Sequence, residues 1–233
     1  MVDMNNNVKR FHVIDFLRGF AVLLMIIFHF SYDLDFFGYI EVDFIKDTFW
    51  WVFPRVIVFF FLLTVGASSA LVHKEKIRWD KFSPRFFKLV LFALIISVST
   101  YFIFPNNWIY FGTLHCIASV SLCLLPFVNR PKLSFLFFLV FLVPPIFFGF
   151  KWPFWNMAHA SMDYIPLLPW LGIGLLGISY KHFLLEKSEQ LYLSMNLPGK
   201  RFVTYLGIHS LIIYLIHQPI LFGTVKLYSL IVK

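Results

Sequence analysis

The sequence predicts an all-α, polytopic membrane bundle of about seven transmembrane helices, and three observations carry that reading. Of 233 residues, 60% are hydrophobic and only 14% charged, with a mean hydropathy of +0.78. A soluble domain is about a quarter charged and under half apolar. The apolar residues also fall into seven runs, over 12–32, 49–72, 85–104, 109–128, 133–150, 164–183 and 202–224. A helix needs about 20 residues to cross the hydrocarbon core, close to the length of these runs. Finally, lysines and arginines concentrate in alternate connections, the bias that orients membrane proteins.

Each run has its own marks. The first holds Asp15 and Arg18, lacks a small-residue cleavage site and leads into further spans, so it reads as a helix that stays. The fifth contains Pro144-Pro145, which must kink or shorten it. In the sixth, Gly172, Gly174 and Gly177 follow Pro169-Trp170 and suit close helix packing. Lys9 and Arg10 precede the first run, and Lys74, Lys76, Arg78 and Lys81 fill the second connection, with Arg85 and Lys88 opening the next helix. Arg130 and Lys132 occupy the fourth connection, while Lys181, Lys187, Lys200 and Arg201 occupy or flank the sixth. Residues 33–48 oppose Asp33, Asp35, Glu41, Asp43 and Asp47 to Lys46 alone. The N-terminus is therefore expected in the cytoplasm and the C-terminus outside. Trp50, Trp51, Trp108, Trp152 and Trp155 then fall at outer ends, as an interfacial belt requires. No repeat or long soluble insertion appears, so residues 1–233 read as one domain in the cell membrane.

The net charge of +8 follows the loops and orients the chain, so no nucleic-acid partner is expected. Cys116 and Cys123 would lie about 10 Å apart on one helix, too far to bridge, and read as packing residues. There is no HExxH, paired CxxC or His-x-His spacing, so no metal is expected.

Chemistry concentrates on the first helix. At 100° per residue, Asp15, Arg18, Val22, Met25, His29 and Asp33 share a stripe less than a quarter-turn wide. Arg18 and His29 stand about 16 Å apart along it. Ionisable groups inside a bilayer face the bundle interior or a water-filled path. Around the outer end gather His29, Asp33 and Asp35, Arg55, His115, His159 and Asp163, and the face of Ser210, Tyr214 and His217 with Gln218. Alternatives stay open: Asp15 and Arg18 also fit an interfacial ion pair, Arg55 a partner of a loop carboxylate, and His29, His115 and His217 hydrogen-bonded locks between helices. His159 reads as a solvated loop residue and His209 as a packing or interfacial one.

These residues resemble a known family. Arg10-x4-Asp15-x2-Arg18-Gly19-x-Ala21, His29-x3-Asp33 and Phe37-Gly38 are similar to the opening of the heparan-α-glucosaminide N-acetyltransferase catalytic-domain family. Phe111-Gly112-Thr-Leu-His115-Cys-Ile-Ala118, Leu168-Pro169-Trp170-Leu171-Gly172-Ile-Gly174 and Leu206-Gly207-x-His209-Ser210-Leu-x-x-Tyr214-Leu-Ile-His217-Gln218-Pro219 resemble its later motifs. The resemblance runs from residue 10 to about 224 and looks like the small prokaryotic branch of the transmembrane acyltransferases.

It implies an acetyltransferase that takes an acetyl group from cytoplasmic acetyl-CoA and delivers it to an amino-sugar or glycan acceptor outside. Under that reading Asp15, Arg18, Arg85 and Lys88 are candidates for binding the CoA donor, and His29, Asp33, His115 and His217 for catalysis. Asp35, Arg55, Tyr214 and Gln218 are candidates for holding the acceptor. A histidine would act as general base or as a nucleophile forming an acetyl-imidazole. The family's lysosomal branch is expected to carry its catalytic histidine in the first luminal loop, yet residues 33–48 contain none. His29, His115 or His217 then takes that role, or this branch has lost the activity. The rival reading is a small multi-pass transporter using the same stripe. A homo-oligomer is compatible with the sequence.

Overall fold

The computed structural model describes residues 10–44, 46–157 and 159–232; Lys9, counted above among the cations before the first run, lies outside them. Among the described residues the regular structure is helical, without strands. The order is α1 (His12–Phe36), α2 (Thr48–Val72), α3 (Trp79–Ile103), α4 (Thr113–Cys123), a 3-10 turn (Leu125–Phe127), α5 (Pro131–Phe148), α6 (Leu167–Phe183), α7 (Leu185–Ser194), α8 (Lys200–Ile208) and α9 (Ser210–Val232).

The helical membrane bundle is the observed class. Five helices, α1, α2, α3, α5 and α9, are long and apolar enough to cross a bilayer, and α6 with α7 pass together across a 74° bend. The count of seven full spans is not reproduced. The fourth run yields only 11 residues of α-helix, about 16 Å of rise. Its continuation stops because Pro126 lacks an N–H and falls into the 3-10 turn. The seventh run breaks at His209 (φ −100°, ψ 14°), between α8 and α9. In α5, Pro144-Pro145 lie in the last turns, and Gly149 ends the helix in the left-handed region at φ +63°.

Two compact units divide the chain. The first comprises Leu62–Leu191 with Arg10 and Phe11, and so holds the second part of α2, α3 to α6 and most of α7. Its core is built on Leu62, Val120, Leu124, Leu175 and Ile178, all fully buried. A Cβ on Gly66 would run into the Gly174 carbonyl oxygen, and one on Gly177 into that of Leu63. Gly66 and Gly177 thus let the α2 and α6 backbones touch, while a Cβ on Gly172 would meet Leu142 and Phe141 of α5 and one on Gly174 would meet Val120 of α4. Outward, α3 exposes Phe87, Leu91 and Phe102, and α5 exposes Phe147 and Phe148, a surface that suits lipid rather than water.

The second unit comprises His12–Phe61 and the chain from Tyr192, with α1, the first part of α2, α8 and α9. Here α1 and α8 meet through Gly19 and Gly207. A Cβ on either would strike backbone of the other helix, at the Val203 and Asp15 carbonyls respectively. With α8 fixed, α9 runs alongside α1.

Candidate functional site

Packing of α9 on α1 brings together polar side chains that lie 185 positions apart in sequence. Gln218 Nε2 donates to Asp33 Oδ1 at 2.8 Å. The His29 and His217 rings meet edge-on, with centroids 4.8 Å apart, and Tyr214 packs on His217 at 5.7 Å. His217 Nδ1 lies 2.7 Å from the Tyr214 backbone carbonyl. A carbonyl only accepts, so Nδ1 carries the proton and neutral His217 keeps a bare lone pair on Nε2. Likewise a carboxylate only accepts, which turns the Gln218 amide nitrogen towards Asp33 and leaves its oxygen free.

The remaining atoms of this cluster define its chemistry. Asp33 Oδ2, His217 Nε2 and Gln218 Oε1 are buried without a hydrogen-bond partner among the described residues. All three are acceptors. A buried, unpaired polar atom costs about 1–3 kcal/mol, and a group bearing N–H or O–H donors has the chemistry to satisfy all three.

The other sequence candidates of this unit take separate places. Arg18 Nη1 reaches Asp15 Oδ1 at 3.2 Å, one turn apart near the start of α1, with Asp15 buried. The pair fits both sequence readings, an interfacial ion pair and a cation oriented for donor binding. Arg55 stacks over the Trp51 ring at 3.5 Å and donates to the Trp51 carbonyl. Asp35 Oδ1 accepts the Val42 backbone N–H at 2.9 Å and so shapes the loop after α1.

His115 belongs to the first unit. Its Nδ1 accepts the Gly112 N–H at 3.2 Å, and its Nε2 lies 3.0 Å from Ser97 Oγ. Ser97 in turn donates to the Ile109 carbonyl at 2.7 Å, so it accepts from His115. Both ring nitrogens are therefore used within the protein, tying α3 to the start of α4. Beside it, Asp163 accepts from the Thr113 N–H at 2.8 Å and from Thr113 Oγ1 at 3.2 Å, capping α4. Burial pushes the Asp163 carboxyl above its ordinary range, and the two Thr113 hydrogen bonds pull it back. On α3, Lys88 lies over the Phe92 ring at 5.6 Å, and Arg85 lines a cavity with His73. Among the described residues, no group of three His, Cys, Asp or Glu side chains is placed to hold a metal ion.

Ser97, Thr113 and His73 escaped the sequence reading. Small hydroxyls in an apolar run carry no signal of their partners. His73 sits at the head of a cationic connection and reads as loop, yet it is buried.

The family model described as heparan-α-glucosaminide N-acetyltransferase, catalytic, matches residues 10–219. No curated protein and no solved structure matches.

Proposed function

Since this chain belongs to the heparan-α-glucosaminide N-acetyltransferase catalytic-domain family, a family of transmembrane acetyltransferases, we propose that it moves an acetyl group from acetyl-CoA to an amine or hydroxyl acceptor seated at the Asp33 end of α1. The supporting observation is the set of three unpaired buried acceptors on Asp33, His217 and Gln218. An amino sugar or a glycan hydroxyl supplies the donors that this set lacks. The cation bias of the loops supports a reading in which that end of α1 faces outside and the Asp15–Arg18 end faces the cytoplasm.

In this reading Asp33 and Gln218 hold the acceptor, and His217 Nε2 takes its proton. The acceptor nitrogen or oxygen attacks the thioester carbonyl, the new bond to carbon forms, and the carbon–sulfur bond breaks. The proton held on His217 then passes to the CoA sulfur. His29, against the His217 ring, positions that base, and the Tyr214 carbonyl fixes its tautomer. Tyr214 and Arg55 flank the acceptor's approach. Arg18, oriented by Asp15, serves the phosphates of the donor. His115, with both nitrogens engaged, positions α4 instead of moving a proton, and Asp35 shapes the neighbouring loop.

The test is transfer of labelled acetyl from acetyl-CoA to glucosamine-type acceptors by purified protein, with CoA release followed in parallel. His217→Ala is expected to lower kcat by about 10²–10⁴-fold, the usual contribution of a general base. Gln218→Ala should act mainly on the acceptor's KM. Full activity in His217→Ala would remove the base from this position. Failure to bind CoA, with flux of a small solute across proteoliposomes, would replace the enzyme with the transporter.

A further inference from the structure

The turn from α2 into α3, within the first unit, encloses a cavity of about 50 Å³ lined by Ser69, His73, Lys81, Arg85 and Phe86. His73 is 3% exposed, and its Nδ1 accepts the Arg78 backbone N–H at 3.0 Å. The proton of the neutral ring therefore sits on Nε2, which makes His73 a buried donor on the cavity wall. Two long cations, an imidazole N–H and a serine hydroxyl around a space of this size suit one phosphate group.

Phe86 is shared with a second space. An apolar cleft of about 240 Å³ opens between α3 and α4, with Val90, Leu94, Ala118 and Leu122 on its walls. Leu94 and Leu122 stand on the lipid-facing surface, 54% and 47% exposed. From Arg85 to Leu94 the rise along α3 is about 13 Å, inside the roughly 15 Å of hydrocarbon that one leaflet supplies. The cationic cavity thus lies at a helix end, and the apolar cleft runs from it toward the middle of the same helix.

We propose that these two spaces form one binding site for an anionic membrane phospholipid, with its phosphate held by His73, Lys81 and Arg85 and one acyl chain lying in the α3–α4 cleft. A soluble phosphate ester with a polar arm fits less well. The amides of such an arm would meet apolar walls, and His115, which also lines the cleft, has both nitrogens already bonded. The site stands independently of the acetyl-transfer reading.

The experiment is native mass spectrometry of the full chain, delipidated in detergent and then mixed with micelles of dioleoyl phosphatidylglycerol or dioleoyl phosphatidylcholine. The expected result is one retained phosphatidylglycerol per chain, preferred about tenfold over phosphatidylcholine. Arg85→Gln should weaken it about fivefold, the usual effect of one cation at an anionic surface. Leu122→Trp, which fills the cleft from its exposed rim without changing charge, should weaken it at least as much, while Lys132→Gln on α5 leaves it unchanged. Because Arg85 and Leu122 probe opposite ends of the site, a folding defect in one variant leaves the other as a test. Equal binding of the two lipids, or undiminished binding by Leu122→Trp, would overturn the proposal. Displacement of the lipid by an equimolar amount of CoA would also overturn it, by assigning the cavity to a soluble phosphate ester.

Discussion

Three histidines that look alike in sequence have different fates, and their hydrogen bonds decide which. His115 spends both nitrogens on Gly112 and Ser97, whereas His217 spends one on the Tyr214 carbonyl and keeps a lone pair beside two other unpaired acceptors. His73 spends one as an acceptor from Arg78 and is buried near two arginines. Burial first, then Arg78 and Arg85, hold its imidazole below the ordinary value of 6.5, with Asp80 opposing weakly. A group depressed in the folded state contributes stability above its unfolded pKa and loses that contribution as pH falls through the folded one. The thermal midpoint of the wild type should therefore drop between pH 7 and pH 5 more steeply than that of His73→Gln, whose amide oxygen can still accept the Arg78 N–H without binding a proton. Parallel curves would show that His73 does not titrate with folding. In sequence, the spacing of Ser210, Tyr214 and His217 placed them on one helical face. That Asp33 would meet Gln218 was not legible, because nothing local connects residues 185 positions apart.

Glycine sets the helix contacts where neither charge nor apolar pattern could. At the α1–α8 crossing the backbones touch, so no side chain can yield to a Cβ on Gly207, which would strike the Asp15 carbonyl. Overpacking of this kind costs about 1–3 kcal/mol. Gly207→Ala should lower the unfolding midpoint by several degrees, while Gly223→Ala, with nothing within 4 Å of the added carbon, should leave it unchanged or slightly raised. Equal effects of the two would place the α1–α8 contact elsewhere. The same crossing sets where α9 begins, and hence where His217 and Gln218 stand along α1. The expected fourth span shows the opposite limit. Hydropathy over 109–128 suits a full helix, but residues 109–112 serve as a loop held by Ser97, Thr100 and the His115 ring, and Pro126 closes the other end. An apolar run reports burial or lipid contact and does not distinguish helix from a loop packed between helices.

Over the whole chain, loop charge makes the most direct prediction. If the N-terminus is cytoplasmic, a membrane-impermeant thiol reagent applied to intact cells should label Glu41→Cys and leave Lys76→Cys unlabelled, each in a background with Cys116 and Cys123 replaced by serine. The reverse pattern would invert the orientation and place the Asp33 acceptor cluster on the cytoplasmic side. Amino-acid composition and hydropathy alone determined that the chain is a helical membrane bundle, because continuous apolar runs of about 20 residues cross lipid as helices that satisfy their own backbones, whereas barrel strands are about half as long. Motif order determined the family, since Asp15, Arg18, His29 and the later blocks keep their spacing along the chain whatever the fold does. Tertiary structure alone decided which polar atoms are paired and which are left over. Hydrogen-bond satisfaction is a property of approach between helices, at distances set by glycine contacts such as Gly19 and Gly207 that no single stretch of sequence contains.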